Sequence, residues 1–406
     1  MKDQSRRLTL VAPNEVIEMP AIGYESYQWE ANVEIPNRHR FDYLGPYSAA
    51  VVPTIANVQF AMPASLAEKI DDASNEIARF DTEMGTDIAP FAAILLRTES
   101  VASSKIENLT ASAKAIALAE LGDLSKRNAA VIVANVNAMR AALELADRLD
   151  EQSILHMHTA LLGSSKPEWC GHWREVQVWI GGGNYGPHTA SFVPPHHAKV
   201  PAAMSDLVSF MRRNDIPPLA HAAIAHGQFE TIHPFPDGNG RTGRAIVHSL
   251  LRHRQLTRSV TIPVSAGLLT DTAGYFAALE TFRDGDAGSI VLRFAEASHW
   301  AVANGRVLVD ELRQIRSSWG DSIRARSDSV AYQLADLLLR QPAVDSAMVE
   351  RELGVSRVTA LSSIERLVSI GVLNEISGGK WGRKWTAPAV LHALDGYASR
   401  SGRRTP

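Results

Sequence analysis

Residues 233–244 read His-Pro-Phe-Pro-Asp-Gly-Asn-Gly-Arg-Thr-Gly-Arg, a histidine, a carboxylate, an amide, three glycines and two arginines within one short stretch. Gly238-Asn239-Gly240 can take positive φ without strain. A turn of that kind aims successive N–H groups at one point and makes an anion nest. The helical pattern over 242–256 begins just beyond, so its N-terminus adds partial positive charge. Arg241 and Arg244 are three apart and share a face of that helix, and two guanidinium forks beside a nest describe a polyphosphate site. Thr242 and Gly243 fall between them and are counted with the site. Asp237 is a hard oxygen ligand where Mg²⁺ would bridge phosphates. His233 stands at the edge, placed to take a proton from an incoming hydroxyl.

Two nucleotide-loop readings fail. Residues 238–243 satisfy G-x-G-x-x-G by letter, but that fingerprint needs a preceding strand and an acidic residue about twenty positions on. Here 219–231 is helical by pattern, and no Asp or Glu occurs between Arg244 and Asp271. The P-loop pattern fails too, for no Lys-Ser or Lys-Thr follows the glycines.

The rest of the chain bounds the answer. Its 406 residues exceed what one core usually organises, so two or three domains are expected. A composition 45% hydrophobic and 21% charged is that of an ordinary globular protein, and a net charge of −3 gives no global pull toward nucleic acid or anionic membrane. The single cysteine, Cys170, excludes an intramolecular disulfide and a cysteine-cluster metal site. A lone thiol, with no secretory signal and no long apolar run, points to the cytoplasm.

Residues 1–63 are punctuated by prolines and read as an irregular arm over the main body. From Ala64 the pattern is helical, with Ser65 as N-cap, and it continues through 90–122, 128–149 and 152–162. Within 163–200 two β-prone segments, Val176–Ile180 and Phe192–Val193, flank a glycine run. They predict a hairpin whose exposed edge suits an extended peptide. Helices are predicted again over 201–213, 219–231, 242–256, 273–282 and 288–316, and the Ser/Gly/Asp/Arg stretch 317–328 reads as a linker. Residues 329–387 read as helix, helix-turn-helix with Ser356 as N-cap, then a hairpin turning at Ser377-Gly378-Gly379, the winged-helix order. Between 328 and 386 seven basic residues balance seven acidic ones, whereas DNA-binding modules carry a basic surplus. Charge therefore argues against DNA as the partner of this module.

The stretch 233–244 resembles, without departure, the HPFxDGNGRxxR signature of the Fic (Fic/DOC) family of protein adenylyltransferases. The resemblance implies a mainly α fold: a Fic-type helical core with a β-hairpin flap, followed by a C-terminal winged helix-turn-helix domain. It implies transfer of AMP from ATP, with Mg²⁺, to a Ser, Thr or Tyr hydroxyl of a target protein, releasing pyrophosphate. His233 becomes the base and Asp237 the metal ligand, while Gly238, Asn239, Gly240, Arg241 and Arg244 hold phosphates. The target would lie along the flap, residues 173–195, and could be a second copy of the chain; a homodimer fits this class. Tyr275 is a candidate contact to the base. Ser103-Ser104-Lys105-Ile106-Glu107-Asn108 is similar to the family's inhibitory motif, in which Glu107, four residues after Ser103, would pair with Arg244 and misorient ATP. The implied division is 1–63 arm, 64–150 helical region with the inhibitory helix, 151–316 catalytic core, 317–328 linker, 329–390 winged helix and 391–406 tail. Two alternatives share these residues: a Fic-fold enzyme that uses another donor or removes AMP, and a nucleotide-sensing regulator that binds DNA.

Overall fold

In a computed structural model of the protein, residues 15–30, 42–84, 88–323, 329–376 and 382–401 are described. Parts of the arm (1–14, 31–41), the linker residues 324–328, the hairpin tip Ser377-Gly378-Gly379 and the tail residues 402–406 lie outside them. The fold is mainly helical. In chain order it runs β1 (Gly23–Gln28), β2 (Pro46–Val51), α1 (Ala64–Met84), α2 (Ile88–Ile106), α3 (Ala113–Glu120), α4 (Arg127–Glu144), α5 (Glu151–Leu162), α6 (Val200–Met211), α7 (Pro218–Ile232), α8 (Asn239–His253), α9 (Val264–Leu268), α10 (Thr272–Arg283), α11 (Gly288–Ser322), α12 (Val330–Arg340), β3 (Ala343–Asp345), α13 (Ser346–Leu353), α14 (Arg357–Ser369), β4 (Asn374–Glu375), β5 (Lys384–Thr386) and α15 (Pro388–Arg400).

Contacts group these elements into two compact units. The first is drawn from Met1–Ser74, Ala141–Leu256 and Thr272–Ala295, the second from Asn75–Arg140, Thr257–Asp271 and Glu296–Pro406.

The first unit is built around α7. Every residue from Leu219 to Ile232 is buried, as expected of a helix with no polar face. Burying side chains such as Ile224, Phe229 and Ile232 contributes roughly 1.5–3 kcal/mol each. Helices α6, α8 and α10 pack around it, and α5 packs on α8. Gly243 permits the α7–α8 contact, since a Cβ there would stand 3.0 Å from Phe229 and 3.1 Å from the Glu230 carboxylate.

The arm is more ordered than its prolines suggest. β1 and β2 form an antiparallel pair in which Tyr27 faces Tyr47, and Pro46 sits at the strand end, where a missing N–H is tolerated. Ahead of β1 the chain is fastened by Met19 N–H to Gly285 O (2.9 Å), Ile22 N–H to Arg283 O (2.9 Å) and, in return, Ala287 N–H to Ile17 O (2.9 Å). Two further expectations change. α1 starts at Ala64, so Ser65 lies in its first turn and does not cap it. Residues 317–322 belong to α11, not to a linker.

In the second unit α2 is pinned by polar groups. Glu99, fully buried, accepts from Ser265 N–H (2.9 Å) and Ser265 Oγ (2.5 Å). Asn135 Nδ2 donates to Ser100 O (2.9 Å) and Ser104 Oγ (3.2 Å). Helix α12 packs on α2. The three-stranded sheet has order β3-β5-β4, all pairs antiparallel. Gly354 ends α13 at φ 63°, and the Ser356 hydroxyl caps α14 by accepting from Thr359 N–H.

Candidate active site

The loop 233–238 joins the C-terminus of α7 to the N-terminus of α8. His233 takes a left-handed conformation (φ 50°, ψ 62°) and its N–H closes the last turn of α7 on Phe229 O. That conformation is uncommon outside glycine, so something must hold it. The clamp is Arg174, which is 2% exposed. Its Nε donates to His233 O (2.9 Å), Nη1 to Val176 O (3.0 Å) and Nη2 to Pro195 O (2.5 Å), while its own N–H donates to Pro234 O (2.9 Å). Burial lowers the Arg174 pKa to about 10, so it stays charged at neutral pH and gives its protons to carbonyls alone.

A second clasp lies inside the loop. Asn239 Oδ1 accepts from Phe235 N–H (2.9 Å) and Nδ2 donates to Phe235 O (2.8 Å). A third comes from α5: His158 stacks on Phe235 (centroids 3.7 Å, 3° between planes) and its Nε2 lies 3.0 Å from Asp237 O. Burial lowers the His158 pKa to about 4, so the ring is neutral at pH 7. Gly238 turns the chain into α8 at φ 81°. The first-turn N–H groups of α8 have no acceptor within the helix and make its N-terminus an anion site.

At the mouth, Asp237 has a 54% exposed side chain. Its Oδ1 accepts from Gly238 N–H (2.6 Å) and faces Arg241 Nη2 at 3.5 Å. That leaves Oδ2 as a single open carboxylate oxygen. Among the described residues no group of three or more His, Cys, Asp or Glu could hold a metal alone. One carboxylate oxygen beside an anion site suits Mg²⁺ that shares its other ligands with phosphates and water. His233 is partly exposed, with Nδ1 3.8 Å from Glu230 Oε2.

Several predicted roles change. Asn239 spends its side chain on the loop and can offer a ligand only its backbone. Gly240 is helical, so Gly238 alone supplies positive φ and the helix N-terminus replaces the nest. Thr242 is fully buried, and Gly243 lies in the α7–α8 contact. Arg241 and Arg244 are almost wholly buried; Arg244 lies beside His226, whose pKa burial and that charge lower to about 3. Tyr275 is 1% exposed, and its hydroxyl is 2.7 Å from His226 Nε2. It shares the buried stripe of α10 with Ala278, Leu279 and Phe282, a register that turns it into the core.

The flap differs from a regular hairpin. Its two arms meet at one bridge, Ile180 with Phe192. Gly181 and Gly182 turn at φ 73° and 74°, and Pro194-Pro195 carry no N–H to extend a ladder. The outer edge of the Phe192–Val193 arm is not open, because Ala50 of β2 donates to Val193 O (3.0 Å). Trp29 and Trp179 meet edge to face at 5.5 Å, and Tyr27 stacks on His196 at 4.4 Å.

The Fic/DOC family profile matches residues 148–251. These residues form a Fic domain. Protein adenylyltransferase fic-1 of Caenorhabditis elegans is 31% identical over 159 residues, 38% of this chain and 28% of that protein. Protein adenylyltransferase Fic of Drosophila grimshawi is 34% identical over 103 residues, 25% of this chain and 20% of that protein. This chain therefore spans under a third of the curated relatives it matches. A solved Fic family protein from Desulfovibrio desulfuricans G20 superposes with a TM-score of 0.51 at 22% identity, covering 79% of this chain and 95% of that one, a likeness of fold.

The Fic domain holds His158, Arg174, the flap and the loop 233–244; Tyr275, Ser103 and Glu107 fall outside its matched span. Sequence reasoning missed Arg174 and His158. A lone arginine after Trp173 and a histidine within an amphipathic helix carry no local signal of what they hold. Ser103 is buried in α2 of the second unit. Glu107 is the first residue past α2, an exposed turn position whose N–H still bonds Ser104 O (3.1 Å). Asn108 ends the helix at φ 59°, a conformation asparagine tolerates better than most residues.

Proposed function

We propose that this chain transfers AMP from ATP to a Ser, Thr or Tyr hydroxyl of a protein and releases pyrophosphate. The observation that carries the reading is the loop geometry: a partly exposed histidine, fixed in an uncommon backbone conformation, beside a helix N-terminus flanked by an open carboxylate and Arg241. A dianionic phosphate chain would bind the first-turn N–H groups of α8 and the guanidinium groups of Arg241 and Arg244. Mg²⁺ held by Asp237 would supply charge neutralisation on the phosphates. His233 takes the proton of the target hydroxyl, the oxygen attacks the α-phosphorus, and the bond to the pyrophosphate oxygen breaks in line. Glu230 is near enough to favour the protonated imidazole that results. Since β2 covers the outer edge of the Phe192–Val193 arm, the target segment is assigned to the Val176–Ile180 arm. Attack at the α-phosphorus is tested by offering ATP labelled at the α- or the γ-phosphate. Label on protein from the α position only is the expected result; label from the γ position would replace AMP transfer with phosphate transfer.

Restraint by Glu107 belongs to the same reading. Glu107 follows the last residue of α2, and Asn108 then turns the chain away at φ 59°, which sets that carboxylate at the helix end. Glu107→Gly is expected to raise AMP incorporation, and an unchanged rate removes the restraint. For residues 329–390 we infer a winged helix that contacts protein. Val358 at the start of α14 is 79% exposed, an apolar group where a DNA-reading helix carries polar ones. A salt-sensitive gel shift by the full chain would favour the DNA-binding regulator instead. No described helix is long and apolar enough to cross a membrane; we place the protein in the cytoplasm on its single thiol.

A further inference from the structure

Within the second unit, helices α2, α4, α12 and α13 wall a cleft of about 520 Å³, within the range of small-molecule sites. Its charges do not balance. Arg97 of α2 is buried, and its Nη2 binds the Glu120 carboxylate and Gln341 Oε1 (3.1 Å). Its Nη1 is buried and meets no acceptor among the described residues, a state that costs free energy until something fills it. Arg340 is paired with Glu352 at 3.0 Å. Arg140, also on the wall, makes no ion pair among the described residues. Both carboxylates of the cleft are thus neutralised, while one positive charge and one buried donor stay unmatched. The remaining wall is partly apolar, with Val133, Val136 and Met348.

We propose that this cleft binds a small organic acid, its oxyanion head held between Arg140 and Arg97 and its apolar body against Val133, Val136 and Met348. An anion there supplies the missing acceptor and the missing charge together, which water cannot do. A carboxylate and a phosphate monoester share this chemistry, and the test separates them. Benzoate, phenyl phosphate and uncharged benzamide are titrated into the full chain at constant ionic strength, read by melting temperature and calorimetry. Benzoate or phenyl phosphate is expected to give a saturable rise, and the tighter of the two names the head group. Affinity should fall at least about tenfold in Arg140→Gln, the worth of one charge-assisted bond, and return in Arg140→Lys. Arg140 is exposed, so both variants keep the fold. Three results overturn the proposal: no saturable response to either anion, equal affinity in Arg140→Gln, or benzamide binding as well as benzoate.

Discussion

The loop 233–244 and the flap 173–195 lie in the same Fic domain and are held in opposite ways. The loop is fixed by a dense set of bonds among its own residues, braced from outside by Arg174 and His158. His233 closes α7, Asn239 clasps Phe235 at both ends, Gly238 turns into α8, and Asp237 receives the Gly238 N–H. The flap has a single backbone bridge of its own and is gathered by side chains and neighbours: Arg174 at its base, which binds Val176 O and Pro195 O, Ala50 of β2 at one edge, and an aromatic cluster from the arm. A loop that must hold a reacting geometry gains from local over-determination. A segment that must receive different chains gains from support that leaves its backbone adaptable.

Arg174 belongs to both regions, so its removal should blur the difference between them. Arg174→Met strands three carbonyls, those of His233, Val176 and Pro195, while the backbone N–H to Pro234 O stays, and is expected to cost about 3 kcal/mol of stability. Hydrogen exchange should quicken across 176–195 and at 233–235 together. Arg174→Lys should not restore protection, since one ammonium cannot span three carbonyls set around a planar fork. Protection lost in the flap alone would show that the loop needs no support from Arg174. Asn239→Ala breaks only the loop's internal clasp. We expect about 2 kcal/mol lost, faster exchange at Phe235 and flap exchange unchanged; a response in the flap would join what the geometry separates. Ala50→Pro removes the N–H given to Val193 O. The expected loss is about 1 kcal/mol, with exchange quickened in 190–195 and constant in 233–239.

The same contrast explains what could be read from the sequence. Residues 233–244 pointed to a phosphate site because helix end, turn glycine and arginine spacing are local features. Asn239 was given to the phosphates, since a sequence shows an amide's reach but not which backbone it meets. The helices over 201–256 were legible from apolar periodicity, and Ser356 from its capping position. The β1–β2 pair was missed because the prolines around it hid two strands defined by their pairing, with each other and through Ala50 with Val193, which no local pattern shows. Tyr275 was misplaced by nearness in sequence to the core, when the register of α10 turns it inward to His226. Arg174 and His158 each act on a loop 59 and 79 residues away, a distance that no local pattern spans.

The central claim is that His233, held at the end of α7, is the base of an AMP transfer centred on this loop. The most direct measurement compares incorporation of α-labelled ATP into protein by Glu107→Gly and by Glu107→Gly with His233→Ala, both shown by melting temperature to be folded. Label is expected in the first and a loss of at least about 10²-fold in the second. Equal labelling with and without His233, or no label in either while ATP still binds, would contradict it.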